Sequence, residues 1–135
     1  MQRRTFISAT GAAAATLAAP MLWAQALPTN PIRIIVGFAP GGGTDILARV
    51  IAQKLSVMWN TTVLVENKAG AAGMIAAEYV ARQPSDGTTL LMAHINSHAI
   101  APALTPKMTY DVERDFTPVV LVGVTPNLLI CNEQQ

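Results

Sequence analysis

The sequence is poor in cysteine and in charge, and each shortage excludes a class of protein. Cys131 is the single cysteine among 135 residues, so no intrachain disulfide can form. Charged residues make up 13% of the chain, with a formal net charge of +1. They form neither the basic patch that nucleic acid requires nor an acidic tail. We therefore predict no nucleic-acid partner. We expect Cys131 to be a small, buried apolar residue near the end of a strand.

Histidine is equally scarce, which bears on metal binding. His94 and His98 are the two histidines of the chain. Being four residues apart, they would share a face only on a helix, yet the sequence before them predicts a strand. No further ligands converge on them, so the sequence predicts neither a metal site nor another cofactor.

The first 26 residues have the features of an export signal that is removed from the mature protein. Arg3 and Arg4 supply the charged start, residues 9–22 are modestly apolar, and residues 24–26 (AQA) form a small-x-small cleavage site. The stretch is too short and too weakly apolar to favour a stable membrane span. We predict cleavage after Ala26 and a periplasmic location, by a twin-arginine route or by general secretion.

The mature chain begins with a strand, a glycine-rich turn and a helix. Residues 32–38 are almost continuously apolar, which is typical of a strand buried on both faces of a parallel sheet. Residues 45–59 have helical periodicity, with Arg49, Gln53 and Lys54 on the polar side. The residues expected on the apolar side are Ile46, Leu47, Val50, Ile51, Leu55 and Met58.

Two further strands complete a βαβαβ unit with an open, mostly parallel sheet, an α/β fold. Strands are predicted at residues 62–66 and 88–93, and a helix between them at 74–83. The residues of this helix expected to face inward are Ile75, Ala76, Tyr79 and Val80. Right-handed crossovers place the second strand on one side of the first and the third strand on the other. The loops at 38–45 and 94–98 should then meet at the switch point, with the loop at 67–73 beside them.

Beyond residue 98 the pattern is weaker. A helical turn is expected at residues 99–104, a polar turn at 112–116, and two apolar runs at 119–124 and 128–131. No internal repeat and no second apolar core is visible in the mature part.

The turn at residues 38–45 (FAPGGGTD) precedes a helix N-terminus, a place that favours anions. A dinucleotide-binding fingerprint would need glycine at position 46, which is Ile46, and a phosphate-binding P-loop would need lysine before Thr44. Nucleotide phosphates are thus disfavoured, whereas a carboxylate suits amide and hydroxyl donors. The alternative is a turn that uses glycine only for tight geometry.

Five blocks together resemble a known family, the Bug-type periplasmic solute-binding receptors of tripartite tricarboxylate transporters. The blocks are residues 31–36 (PIRIIV) leading into 38–45, then 65–73 (VENKAGAAG), 86–91 (DGTTLL), 110–111 (YD) and 115–119 (DFTPV). The resemblance implies the first lobe of a type II periplasmic-binding-protein fold. Such a receptor closes two lobes on a small organic acid and presents it to membrane permease subunits. Residues 27–135 would then be an incomplete solute-binding lobe.

The resemblance also implies which residues meet the ligand's carboxylate. They are Phe38, Gly42, Gly43, Thr44, Asp45, Ala72, Gly73, His94, Asn96, Ser97 and His98. Asp45 is the odd member, because its own charge would repel a carboxylate. We expect it to support the helix end or to orient neighbouring amides rather than to touch the ligand.

Two other functions stay open at this point. A secreted hydrolase would use Ser97, His98 and an aspartate, but no Gly-x-Ser-x-Gly elbow is present. Adjacent side chains on an extended segment also point in opposite directions, so we predict that the protein is not an enzyme. The other alternative is a truncated receptor fragment with no independent activity.

Overall fold

A computed structural model of the protein describes residues 30–124. The predicted export signal with its cleavage site, the apolar run at 128–131 and Cys131 lie outside the described residues. No helix within residues 30–124 is long and apolar enough to cross a membrane.

Three parallel strands form the sheet, in the order β2-β1-β3. They are β1 (Ile32–Val36), β2 (Val63–Asn67) and β3 (Thr89–Met92). Ile34 of β1 lies opposite Val65 on one side and Leu90 on the other. The predicted strand order is therefore confirmed, with the switch point between β1 and β3. Strand β1 ends two residues before Phe38, which frees Gly37 and Phe38 to turn away from the sheet.

The core lies between β1 and helix α1 (Gly43–Trp59). Ile34 and Val36 of β1 pack against Ala48 and Ala52, all of them buried. Burial on both faces explains why β1 is apolar apart from Arg33, since Ile35 on the opposite face is buried as well. The helix ends at Trp59, and Asn60 caps it in a left-handed conformation (φ 49°), with its backbone N–H donating a hydrogen bond to the Ser56 carbonyl.

The apolar side predicted for α1 is only partly right. Ile51 and Leu55 are partly buried, but Ile46, Leu47, Val50 and Met58 are between 47% and 73% exposed. The residues that touch the sheet are instead the small ones, Ala48 and Ala52. A helix lies closest to a sheet where its side chains are shortest. The side of α1 that faces the sheet is therefore centred on alanines rather than on the larger apolar residues.

Helix α2 (Met74–Ala81) lies against the opposite face of the sheet. Arg33, which faces away from the Ile34 side, donates to the Tyr79 hydroxyl at 2.9 Å. Ala76 and Ala77 are buried, as predicted for Ala76, whereas Ile75 is half exposed and does not face inward as predicted. Here too the small residues make the closest approach.

After β3 the chain forms a π-helical turn, Asn96–Ile100, and a short helix α3, Ala101–Leu104. The helical turn expected at 99–104 therefore begins earlier, near residue 96. A turn follows at 112–114, within the span predicted for it, closed by the Asp115 amide on the Asp111 carbonyl at 3.0 Å. The apolar run at 119–124 has no regular structure and is exposed.

The close approach of β1 to the loop before α2 requires glycine at position 37. A Cβ atom on Gly37 would lie 2.8 Å from the Gly73 Cα and 3.3 Å from the Ala76 Cβ. We expect Gly37→Ala to lower the free energy of unfolding by about 1–3 kcal/mol, because the backbone must shift to admit the methyl group. Thermal and denaturant unfolding measure this change.

Gly123→Ala is the matched control, since a Cβ atom there meets nothing within 4 Å. Equal stabilities for Gly37→Ala and Gly123→Ala would contradict the packing described here.

Candidate functional site

The loops that follow the three strands meet at the carboxyl edge of the sheet. The rings of Phe38 and His94 pack edge to face with centroids 4.8 Å apart, joining the loops after β1 and β3. Gly73, from the loop after β2, lies between them: a Cβ atom there would be 3.5 Å from the Ser97 Oγ and 3.7 Å from the Phe38 ring. The predicted convergence of these three loops is therefore confirmed.

The N-terminus of α1 presents backbone amides that have no partner in the helix. Gly42 caps the helix without any side-chain bond, and the first helical hydrogen bond runs from the Ile46 amide to the Gly42 carbonyl at 3.0 Å. The amides of Gly43, Thr44 and Asp45 consequently lack intrahelical acceptors. Gly42 and Gly43 are exposed, and a Cβ atom on Gly43 would meet nothing within 4 Å. An anion has room to approach this helix end.

Asp45 is buried, with 2% of its surface exposed, and both oxygens of its carboxylate are used within the chain. Its Oδ2 accepts from the Gly41 amide and from the Arg49 Nε, each at 2.9 Å. Its Oδ1 accepts from the Asn67 Nδ2 at 2.8 Å. The bond from Arg49, then those from Gly41 and Asn67, hold the pKa of Asp45 far below its usual range, so this carboxylate is ionised.

Asn67 connects this carboxylate to the rest of the glycine turn. Its Nδ2 also donates to the Phe38 carbonyl at 3.0 Å, and its Oδ1 accepts from the Arg49 Nη2 at 3.1 Å. We did not single out Asn67 or Arg49 as site residues from the sequence. The i, i+4 spacing of Asp45 and Arg49 on a helix was a usable signal for that pair. The part played by Asn67 depends on its position opposite Val36 in the strand register.

The loop before α2 has a left-handed backbone over four consecutive residues. The φ angles are 139° at Gly70, 45° at Ala71, 54° at Ala72 and 92° at Gly73. Alanine in this conformation costs on the order of 1 kcal/mol per residue. Strain of this kind concentrates at binding sites, and here it lies at Ala71 and Ala72, of which Ala72 is a predicted ligand-binding residue.

His94 and Asn96 follow β3 and interact with each other. The Asn96 amide donates to the His94 Nδ1 at 3.2 Å. A neutral imidazole that accepts at Nδ1 carries its proton on Nε2. His94 therefore has an N–H left to donate.

Ser97 and His98 lie beneath this surface. The Ser97 Oγ is 3.1 Å from the His94 carbonyl and 2.9 Å from the His98 Nδ1, and the Tyr110 hydroxyl donates to the Ser97 carbonyl at 2.6 Å. The His98 ring packs edge to face against Phe116, with centroids 4.9 Å apart. Burial lowers the pKa of His98, which favours the neutral ring. Within residues 30–124, the buried Nε2 of His98 has no hydrogen-bond partner.

One expectation about these two residues is wrong. The segment from Asn96 is π-helical rather than extended, so Ser97 and His98 meet instead of pointing apart. Among residues 30–124, His98 donates no hydrogen bond to an aspartate or glutamate. That part of the chain also holds no group of three or more His, Cys, Asp or Glu side chains suited to a metal ion.

The structure thus divides the predicted site residues into two sets. One set lies at the exposed loop ends or in contact with them: Phe38, Gly42, Gly43, Thr44, Ala72, Gly73, His94 and Asn96. The other set is turned into the protein: Asp45, Ser97 and His98. Ligand contact by any of them stays a prediction.

Acid should remove the contribution of Asp45 to stability. Because its pKa is lower in the folded chain than in the unfolded chain, this contribution is complete above about pH 4 and is lost as the pH falls towards the folded value. Asp45→Asn should therefore flatten the profile of melting temperature against pH below about pH 4. Asp86 and Asp115 also have lowered pKa values, but they are present in both proteins and cancel in the comparison. An unchanged slope would contradict the pairing of Asp45.

Comparison with known proteins supports the resemblance in the sequence. The model of the tripartite tricarboxylate transporter family receptors matches residues 47–134. Protein BugT of Bordetella pertussis is 40% identical over 121 residues, which cover 89% of this chain and 37% of BugT. A UPF0065 protein of Pseudomonas sp. (strain P51) is 41% identical over 108 residues, covering 78% of this chain and 31% of that protein.

Solved structures share the fold as well. MatC of Rhodopseudomonas palustris, with bound malate, is 40% identical with a TM-score of 0.67, over 71% of this chain and 33% of MatC. Rpa4515 of R. palustris, with adipate, is 41% identical with a TM-score of 0.66, over 69% of this chain and 31% of that protein. The chain thus spans about a third of the length of the relatives that it matches. It belongs to the tripartite tricarboxylate transporter receptor family.

Proposed function

We propose that this chain is the ligand-binding part of a periplasmic receptor that captures a small organic carboxylate for a membrane permease. The observation that carries the proposal is the open N-terminus of α1, with unpaired amides at Gly43 and Thr44, beside the loops after β2 and β3. Family membership points the same way. We also propose that residues 1–26 are an export signal cleaved after Ala26, and that residues 27–135 form an incomplete solute-binding lobe.

The chemistry offered at this edge suits a carboxylate. The amides of Gly43 and Thr44 and the Thr44 hydroxyl are donors without formal charge, set at the positive end of a helix dipole, and the His94 Nε2–H is a further donor on the loop after β3. The relatives MatC and Rpa4515 were solved with malate and adipate, which are both dicarboxylates. We propose a ligand of this class, one of whose carboxylates lies at the end of α1.

The eleven predicted residues take two roles in this proposal. Residues at the loop ends contact the ligand directly or through water: Phe38, Gly42, Gly43, Thr44, Ala72, Gly73, His94 and Asn96. Asp45, Ser97 and His98 support them from beneath, because their polar atoms already bond within the chain or are buried. The rest of the site belongs to the second lobe of a full-length receptor, which closes over the ligand.

Gly43→Val tests the site directly. A branched side chain at this exposed position fills the space where a carboxylate would approach the amides, and its Cβ atom would meet nothing within 4 Å among residues 30–124. We expect malate, adipate or a related acid to raise the melting temperature of the wild-type protein and not that of Gly43→Val. Ligand at about 100 times its Kd would add about 2.7 kcal/mol of stability.

Gly123→Val is the control, since a Cβ atom at position 123 also meets nothing within 4 Å among residues 30–124. A folded Gly43→Val protein with wild-type affinity would contradict the site. A wild-type protein that melts cooperatively but responds to no mono-, di- or tricarboxylate would contradict the function for this chain.

A hydrolase is the second candidate, and the contact of 2.9 Å between the Ser97 Oγ and the His98 Nδ1 is the observation in its favour. Against it, Ser97 is only 3% exposed and no carboxylate orients His98 within the described part of the chain. We therefore propose a receptor without catalytic activity.

His98→Ala separates these two candidates. In a receptor it should change stability or ligand affinity alone, because it removes packing against Phe116. In a hydrolase it should abolish turnover of ester or amide substrates, as should Ser97→Ala. Wild-type turnover that both substitutions remove would overturn the receptor assignment.

A further inference from the structure

The geometry points to Arg49 and Asn67 as positioning residues of the carboxylate site. We propose that Arg49 neutralises the buried Asp45, and that Asn67 fixes Asp45 and the glycine turn in place. The free amides of α1 can then accept a ligand carboxylate. This inference rests on the proposed function and adds to it two residues that do not themselves touch the ligand.

The starting point is an electrostatic conflict. Asp45 belongs to the same first helical turn as Gly43 and Thr44, whose amides would hold the ligand. An ionised carboxylate at this place repels a second carboxylate through a poorly screened interior, where a unit charge acts more strongly than in water. A site that binds anions beside a fixed anion therefore needs a compensating cation.

Arg49 supplies that cation at the right distance. Its Nε lies 2.9 Å from the Asp45 Oδ2, and the two side chains are 52% and 3% exposed. The positive group is thus on the solvent side and the negative group is inside. Together they present a pair with no net charge to an approaching ligand, and the ionised state of Asp45 is preserved because its pKa is lowered.

Asn67 makes the arrangement rigid. One amide group bonds to the Asp45 Oδ1 at 2.8 Å and to the Phe38 carbonyl at 3.0 Å, so it spans the two ends of the glycine turn. The Asn67 Oδ1 accepts from the Arg49 Nη2 at 3.1 Å, which closes a ring of three side chains. Within the turn, Asp45 holds the Gly41 amide, where the backbone takes a left-handed φ of 86°. The turn is therefore set before any ligand arrives.

If Arg49 and Asn67 only held β2 and α1 together, their substitution would have a different effect. It would lower the melting temperature, but the affinity of the molecules that remain folded, and the response of that affinity to salt, would stay the same. The neutralising role predicts a specific change in both.

Three variants test this role by calorimetric titration with malate and with adipate, well below each melting temperature. Arg49→Gln leaves the charge of Asp45 uncompensated, so affinity should fall roughly tenfold or more. The double variant Arg49→Gln with Asp45→Asn removes both charges, and its affinity should return to within about threefold of wild type. Lys54→Gln, which removes an exposed positive charge from the same helix, is the matched control and should bind like wild type.

Salt gives a second readout. Raising the ionic strength from about 0.01 M to about 0.1 M shortens the screening length from about 30 Å to about 10 Å. In Arg49→Gln this should improve affinity, because it weakens repulsion by Asp45, whereas wild type and the double variant should show no such gain. A structural tie alone would not produce this difference.

The outcomes separate the inference from the function on which it rests. If the wild type binds but Arg49→Gln has the same Kd, or the double variant does not recover affinity, the inference is overturned. The receptor function is then unaffected. Wild type that binds no acid overturns both.

Amide hydrogen exchange of Gly41 needs no ligand and tests Asn67 separately. Asn67→Ala should speed exchange at the Gly41 amide, because Asp45 is no longer held against it. Unchanged exchange would overturn the part assigned to Asn67.

Discussion

One buried carboxylate determines how the carboxyl edge of this sheet is organised. Asp45 bonds to the Gly41 amide in the turn, to Arg49 one helical turn later, and to Asn67 at the end of the neighbouring strand. These bonds join the glycine turn and the first turns of α1 to the end of β2, 22 residues after Asp45. The cost of burying an ionised group is offset because each oxygen has charged or amide donors, a balance that would fail if one partner were lost. The open helix end next to it depends on this arrangement.

Close packing of small residues is the second constraint. Ala48 and Ala52 bring α1 onto the sheet from one side, and Ala76 and Ala77 bring α2 onto it from the other. Gly37 lets β1 pass directly against the loop that contains Gly73, where any side chain would collide with backbone. Short contacts place the N-termini of both helices beside the switch point. Because α1 packs on the sheet through its alanines, larger apolar residues such as Ile46 and Val50 are left exposed.

The loop after β3 contributes support of another kind. Its π-helical turn buries Ser97 and packs His98 against Tyr110 and Phe116, which come from the segment that follows α3. The Tyr110 hydroxyl bonds to the Ser97 carbonyl, so this later segment braces the turn that carries His94 and Asn96. The three loops are therefore held in different ways. The loop after β1 is held by the ion pair of Asp45, the loop after β2 has a strained backbone with positive φ, and the loop after β3 is held by aromatic packing. Beside them, the N-terminus of α1 presents backbone amides that have no acceptor within the helix.

The sequence by itself determined the kind of fold and the place where the three loops meet. The largely apolar run of β1, the helical spacing of residues 45–59 and the glycine turn between them are local patterns, and they were sufficient to predict the strand order and the meeting of the three loops. The tertiary structure decided which side chains face where. Ala48 and Ala52, rather than Ile46 and Val50, contact the sheet because short side chains allow the closest packing of helix on sheet. The helical periodicity of the sequence does not contain this information. Asn67 joins Asp45, 22 residues away, because strand register places it opposite Val36, and Ser97 meets His98 because the chain forms a π-helical turn. These contacts join residues through the geometry of the folded chain, and a local pattern in the sequence carries no record of that geometry.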